Sequence, residues 1–140
     1  MKTSLRLSYA AFLVLALCMC KPPVTESLFN KFQVFILNNL QNNTLEAHCK
    51  SRDDDLGLRH LPVHGEFNWK FRMNLKGSTL YFCNLWWTGG HLAFDAFKVD
   101  EKFLFEFCSI SYCRWKAQED GIYVYSVKHK QYMFMYKWGH

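Results

Sequence analysis

The run Asp53-Asp54-Asp55 sets three carboxylates in succession, and carboxylate oxygens suit either a divalent cation or an Arg or Lys of another protein. The alternating ligand spacing of a calcium loop is missing, and successive residues of an extended loop diverge. The run therefore reads as a solvated turn whose charge is available to a partner. His60 and His64 flank Leu61-Pro62-Val63 and have the right chemistry for a metal or acid–base pair, but in a polar loop they read as solvated side chains. A ribonuclease would need two histidines and a phosphate-binding Lys converging on a cleft. No motif sets His48, His91 or His129 in such a constellation, and neither a Gly-x-Ser-x-Gly elbow nor a CxxC pair occurs. No catalytic residue, cofactor or metal ligand is assigned. Asn42-Asn43-Thr44 is a glycosylation sequon with Asn42 as acceptor.

Which elements must position these groups depends on where the chain works. Lys2 and Arg6 precede an apolar run from Leu7 to Leu17, small residues follow at Cys18 and Cys20, and Lys21-Pro22-Pro23 ends any helix. That order is a secretory signal peptide, its apolar stretch too short to span a bilayer. Residues 1–20 are read as the signal peptide and residues 21–140 as one secreted domain. Without Lys2 and Arg6, the formal charge falls from +5 to +3. The basic residues are scattered, which describes a mildly basic surface and not a nucleic-acid stripe. With 140 residues, 50% hydrophobic and 18% aromatic, the chain is too apolar for disorder and long enough for one core. No second long apolar run suggests membrane insertion, and the C-terminus ends in neither a retention signal nor a lipid-anchor tail.

Secretion leaves four cysteines, Cys49, Cys83, Cys108 and Cys113, and an even number in an oxidising compartment argues for two disulfides. Four cysteines allow three pairings. Period-two alternation puts Leu45, Ala47 and Cys49 on one face, and Cys113, Trp115 and Ala117 on another. Two inward cysteines on different strands can meet in a core, so the expected pairs are Cys49–Cys113 and Cys83–Cys108. A tight Cys108–Cys113 bridge through Ser109 to Tyr112 is disfavoured.

Alternation continues from Glu66 to Met73, with Phe67, Trp69, Phe71 and Met73 facing one way. Phe32 to Leu37 reads as a strand buried on both faces. Further strands are expected at Thr79–Trp86, His91–Val99, Phe103–Phe107, Ile122–Val127 and Gln131–Trp138, with turn residues between them. Eight or nine short strands and no stretch of ten or more residues with a helical period describe an all-β domain, a small antiparallel β-sandwich with two disulfides.

Several of these segments carry a family pattern. The stretch His48-Cys49-Lys50-Ser51-Arg52-Asp53-Asp54-Asp55-Leu56-Gly57 resembles the hallmark segment of the plant self-incompatibility S-protein homologues. Trp69, Phe71, Asn74, Gly77, Thr79-Leu80, Cys83 and Trp87 follow at similar spacing, as do Cys113-x-Trp115 and Asp120-Gly121-Ile122-Tyr123. The resemblance runs from Val34 to Trp138. Phe103 to Tyr112 departs from it in being strongly apolar. It implies small secreted plant proteins with a β-sandwich and two disulfides, whose founding members are stigma ligands that trigger rejection of self pollen through a pollen receptor. Most relatives have no assigned role.

The expected function is that of a monomeric, non-catalytic extracellular ligand that binds a cell-surface receptor protein through its loops, since rigid scaffolds commonly carry recognition there. The candidate loop residues are Arg52, Asp53, Asp54, Asp55 and His60, with Glu119 and Asp120. The alternative is a carbohydrate-binding module using exposed rings among Trp86, Trp87, Tyr123, Tyr125 and Trp138. A small secreted hydrolase such as a ribonuclease stands third.

Overall fold

The computed structural model describes residues 31–140; the expected signal peptide and cleavage site lie outside the described residues. Nine strands and one helix follow in order: β1 Lys31–Asn38, β2 Leu45–Lys50, β3 Asp55–Leu61, β4 Glu66–Arg72, β5 Leu80–Trp87, β6 Gly90–Lys98, α1 Glu101–Phe107, β7 Tyr112–Gln118, β8 Gly121–Ser126 and β9 Gln131–Lys137. They form a five-stranded sheet, β4-β1-β7-β8-β9, and a four-stranded sheet, β3-β2-β5-β6. The inward residues of both sheets meet in one core, so the fold is the expected β-sandwich.

Alternation explains most of the burial. Cys113, Trp115 and Ala117 are buried on β7, and Leu45, Ala47 and Cys49 on β2. Trp115 ties the layers together: its ring lies 4.7 Å from Phe94 of β6, and its indole N–H donates to the Ala96 carbonyl at 3.0 Å. A buried indole whose donor is satisfied contributes area without an unpaired polar group. Asn38, fully buried at the end of β1, donates to the carbonyls of Asn43 and Leu61 and accepts from the Leu40 amide, all at 2.9 Å. It thereby joins the end of β1 to the end of β3.

The structure corrects five expectations, four of them in the framework of the sandwich and the fifth at residues 55–61, which form β3 and not a loop. The sandwich is not wholly antiparallel: β1 pairs with β7 in parallel, from Gln33↔Tyr112 to Asn38↔Ala117. Alternation carries no information on strand direction, and the crossover that a parallel pair needs is here made from the other strands and α1. Phe103–Phe107 is helix, not strand. Phe103 and Phe107, four residues apart, are buried while Phe105 is 69% exposed, the spacing of a single helical face. β1 is buried on one face only; Val34 and Ile36 face the core, while Phe35 and Leu37 lie half-covered on the outer face.

The fourth correction concerns the disulfides, which are Cys49–Cys83 and Cys108–Cys113. Cys49 and Cys83 are direct partners in the β2–β5 register, with Cα atoms 4.0 Å apart. Cys113 points into the same core from the other sheet. Packed sheets stand about 10 Å apart, beyond the Cα separation a disulfide spans, so sharing a core does not bring Cys49 and Cys113 together. Cys108 ends α1, and the Ser111 amide donates to the Cys108 carbonyl at 2.9 Å with Ser111 at φ 71°. That turn brings Cys108 within 4.8 Å of Cys113.

Candidate functional site

The acidic run folds as a compact turn after β2. The Ser51 amide donates to the Asp54 carbonyl at 2.8 Å, and the Asp54 amide donates to the Ser51 hydroxyl at 3.1 Å. Local closure of this kind leaves the side chains of Arg52, Asp53 and Asp54 exposed. All ion pairs found among the described residues involve histidine, so neither Asp53 nor Asp54 has an Arg or Lys within ion-pair reach.

Asp55 behaves differently, because it begins β3. Its carboxylate accepts from the Gly57 amide at 2.9 Å and pairs with His48 Nε2 at 2.6 Å. The Gly57 amide first, and His48 second, hold its carboxyl below the usual carboxylate range. Its charge is used within the fold.

Beside the turn lies an open cleft of about 490 Å³ lined by Arg52, Asp53, Asp54, Arg72, Asn74 and Tyr81, among others. Asn74 braces its far wall: its side chain accepts from the Ser78 amide and donates to the Ser78 hydroxyl, both at 3.0 Å, and its amide donates to Thr79 Oγ1 at 2.8 Å. At the back, burial raises the Tyr81 phenol above its ordinary pKa. Two guanidinium groups and two free carboxylates on an open rim suit a charged protein loop. They contain no nucleophile–base pair.

The remaining candidates do not join this site. Residues 55–61 are the edge strand β3, not loop, and its mixed polar pattern without clean alternation hid it from sequence reading. His60 therefore lies near the opposite end of β2, opposed to Glu46 and ion-paired with it. Glu119 and Asp120 belong to that far end too: Glu119 accepts from the Gln41 amide at 2.9 Å, and Asp120 accepts from the Tyr123 phenol at 2.6 Å. A six-residue strand spans about 20 Å, so the two candidate loops are separate surfaces. Asn42 is exposed in the loop between β1 and β2, accessible to a glycan. Among the described residues no three His, Cys, Asp or Glu side chains cluster as a metal site, and no helix is long and apolar enough to cross a membrane.

Of the candidate sugar-stacking rings, Trp138 is buried (4% exposed) and Trp87 packs against it at 6.0 Å. Trp86, Tyr123 and Tyr125 stay on the outer faces. Sequence reading missed Arg72 and Asn74 of the cleft, which become neighbours of the acidic turn only through the sheet. It also missed Arg114 and Lys116, whose signal was their outward alternation beside Cys113 and Trp115.

This geometry defines a class: a small disulfide-bonded β-sandwich with charged loop surfaces. The model of the plant self-incompatibility protein S1 family matches residues 33–138, and the chain belongs to that family. S-protein homolog 1 of Arabidopsis thaliana is 34% identical over 110 residues, covering 78% of this chain and 72% of the relative. S-protein homolog 24 of the same plant is 40% identical over 106 residues, covering 73% and 66%. Among solved structures, one described as an SPH (Self-Incompatibility Protein Homologue) protein superposes with a TM-score of 0.62 at 20% identity, covering 79% of this chain and 96% of that one. It has the same fold.

Proposed function

We propose that this chain is a secreted, non-catalytic ligand that engages a cell-surface receptor through the Arg52–Asp54 turn and the cleft beside it. In this reading residues 1–20 are a leader removed on export, and residues 21–140 are the mature ligand. The solved relative is described as one of a family of small, secreted plant proteins, which supports export. The observation that carries the receptor reading is the contrast within the acidic run. Asp55 is engaged by Gly57 and His48, while Asp53 and Asp54 project from a self-closed turn without ion-pair partners among the described residues. Charges held out by a braced loop speed and orient encounter with a complementary partner more than they stabilise the fold.

The test uses mature protein purified after secretion. Asp53→Asn/Asp54→Asn is expected to leave thermal unfolding unchanged and to weaken binding to receptor-bearing plant cells, mainly by slowing association. Unchanged binding would remove the turn from the site, and loss of fold would make the two carboxylates structural.

A further inference from the structure

The outer face of the five-stranded sheet carries a second, independent arrangement. Its register aligns two rows across the strands. In the first, Phe35 of β1 opposes Arg114 of β7; Tyr125 of β8 lies opposite Arg114, one step beyond the Trp115↔Val124 pair, and pairs in turn with Tyr132 of β9. In the second, Leu37 opposes Lys116, Lys116 opposes Tyr123, and Tyr123 opposes Phe134. Each row is one cation set among apolar and aromatic side chains.

The cations rest on rings. The Arg114 guanidinium lies 4.4 Å from the centroid of Phe35 and 5.5 Å from that of Tyr112. The Lys116 ammonium lies 4.1 Å from Tyr132 and 5.8 Å from Tyr123. A ring holds a cation in place without cancelling its charge. Neither cation has a carboxylate within ion-pair reach among the described residues. Two acids flank the cations: Asp120 accepts from the Tyr123 phenol, and Glu66 of β4, two strands from β7, is near enough for its charge to be felt at Tyr132. The face is aromatic and open, with Phe134 51% and Tyr112 42% exposed, and its two cations are the charges not paired within it among the described residues.

We propose that this face binds an anionic, polyhydroxylated polymer, a uronic-acid polysaccharide lying across β1, β7, β8 and β9. Carboxylates would pair with Arg114 and Lys116, and sugar C–H faces and hydroxyls would meet the rings and phenols. An open sheet face suits an extended chain better than a small ligand. The rings also pack edge-to-face, 70° between Tyr125 and Tyr132 and 80° between Tyr123 and Phe134, leaving no parallel slot for a planar base. The face is distinct from the Arg52–Asp54 turn, so either assignment can fail alone.

The experiment measures binding of the mature protein to immobilised polygalacturonate, with fully methyl-esterified polygalacturonate and polyuridylate as comparators. Wild type and Asp53→Asn/Asp54→Asn are expected to bind polygalacturonate alike, with affinity falling as salt rises. Arg114→Gln/Lys116→Gln should bind about 100-fold more weakly, roughly tenfold for each charge-assisted hydrogen bond removed. Arg114→Lys/Lys116→Arg should retain binding, which separates charge from fold, and all variants are checked by thermal unfolding. No binding by wild type, equal binding to the esterified polymer, equal or tighter binding to polyuridylate, or indifference to Arg114→Gln/Lys116→Gln would each overturn the proposal.

Discussion

The two outer faces of the sandwich obey the same alternation but differ in how much of their charge is paired within the fold. On the four-stranded sheet, His48 is paired with Asp55 at 2.6 Å, and His60 with Glu46. Both sheets rest cations on rings, Lys50 on Phe82 at 5.4 Å in the four-stranded sheet and Arg114 and Lys116 on Phe35 and Tyr132 in the five-stranded one. Among the described residues, however, the strands of the five-stranded sheet hold no carboxylate pair. A carboxylate partner spends a charge inside the protein, whereas a ring partner fixes its position and leaves it free to act outward. Which cation stays free to act outward is therefore decided by its neighbour across the strand, not by the count of basic residues.

The sheets also differ in how they are fastened, and the largest predicted effect tests that. Cys49–Cys83 closes 34 residues across neighbouring strands of the four-stranded sheet, while Cys108–Cys113 closes only 5 at the entrance to β7. On loop-closure entropy, Cys49→Ala/Cys83→Ala should cost about 4 kcal/mol and Cys108→Ala/Cys113→Ala about 2 kcal/mol. Urea unfolding measures both, and the reverse order would mean that the short bridge, not the cross-strand one, holds the sandwich. Next, Arg114→Gln/Lys116→Gln should lower stability by about 1–2 kcal/mol, the worth of two exposed cation–ring contacts. A larger loss would make this face a structural brace first and a binding surface second.

The smallest effect sharpens the comparison by pH. Because folding lowers the pKa of Asp55, its contribution is present above the ordinary carboxylate range and is lost as pH falls through the folded value. Thermal unfolding of Asp55→Asn against wild type should show a gap at pH 7 that closes below about pH 4. A gap that persists in acid would point to packing instead of charge.

Alternation was enough to locate most strands, because β2, β4 and β7 each have one wet and one dry face. It was blind wherever two faces are both partly covered or both exposed. β1 looked doubly buried because Phe35 lies beneath Arg114, and β3 looked like loop because it is an edge strand with one buried residue, Leu61. The four cysteines were legible as bridges, but their partners depend on which sheet each strand joins, and local alternation does not encode that. For the site, the acidic run was visible at once. Its division into one structural and two free carboxylates required the Gly57 and His48 contacts.

The parallel pairing of β1 with β7 has a consequence for how the chain is made. β1 sits between β4 and β7, yet Gln33 and its partner Tyr112 are separated by roughly 80 residues. During vectorial synthesis and export, every strand of the four-stranded sheet has emerged by Lys98 and β4 is available to one edge of β1, whereas the other edge of β1 must wait for residues 112–117. Until then Phe32, Val34, Phe35, Ile36 and Leu37 form an apolar strand with an unpaired edge, the kind of segment that seeds aggregation. A nascent chain halted before β7 is therefore expected to need a chaperone that holds its first strand, and release of that hold, timed by pulse-labelled export, should coincide with the arrival of β7.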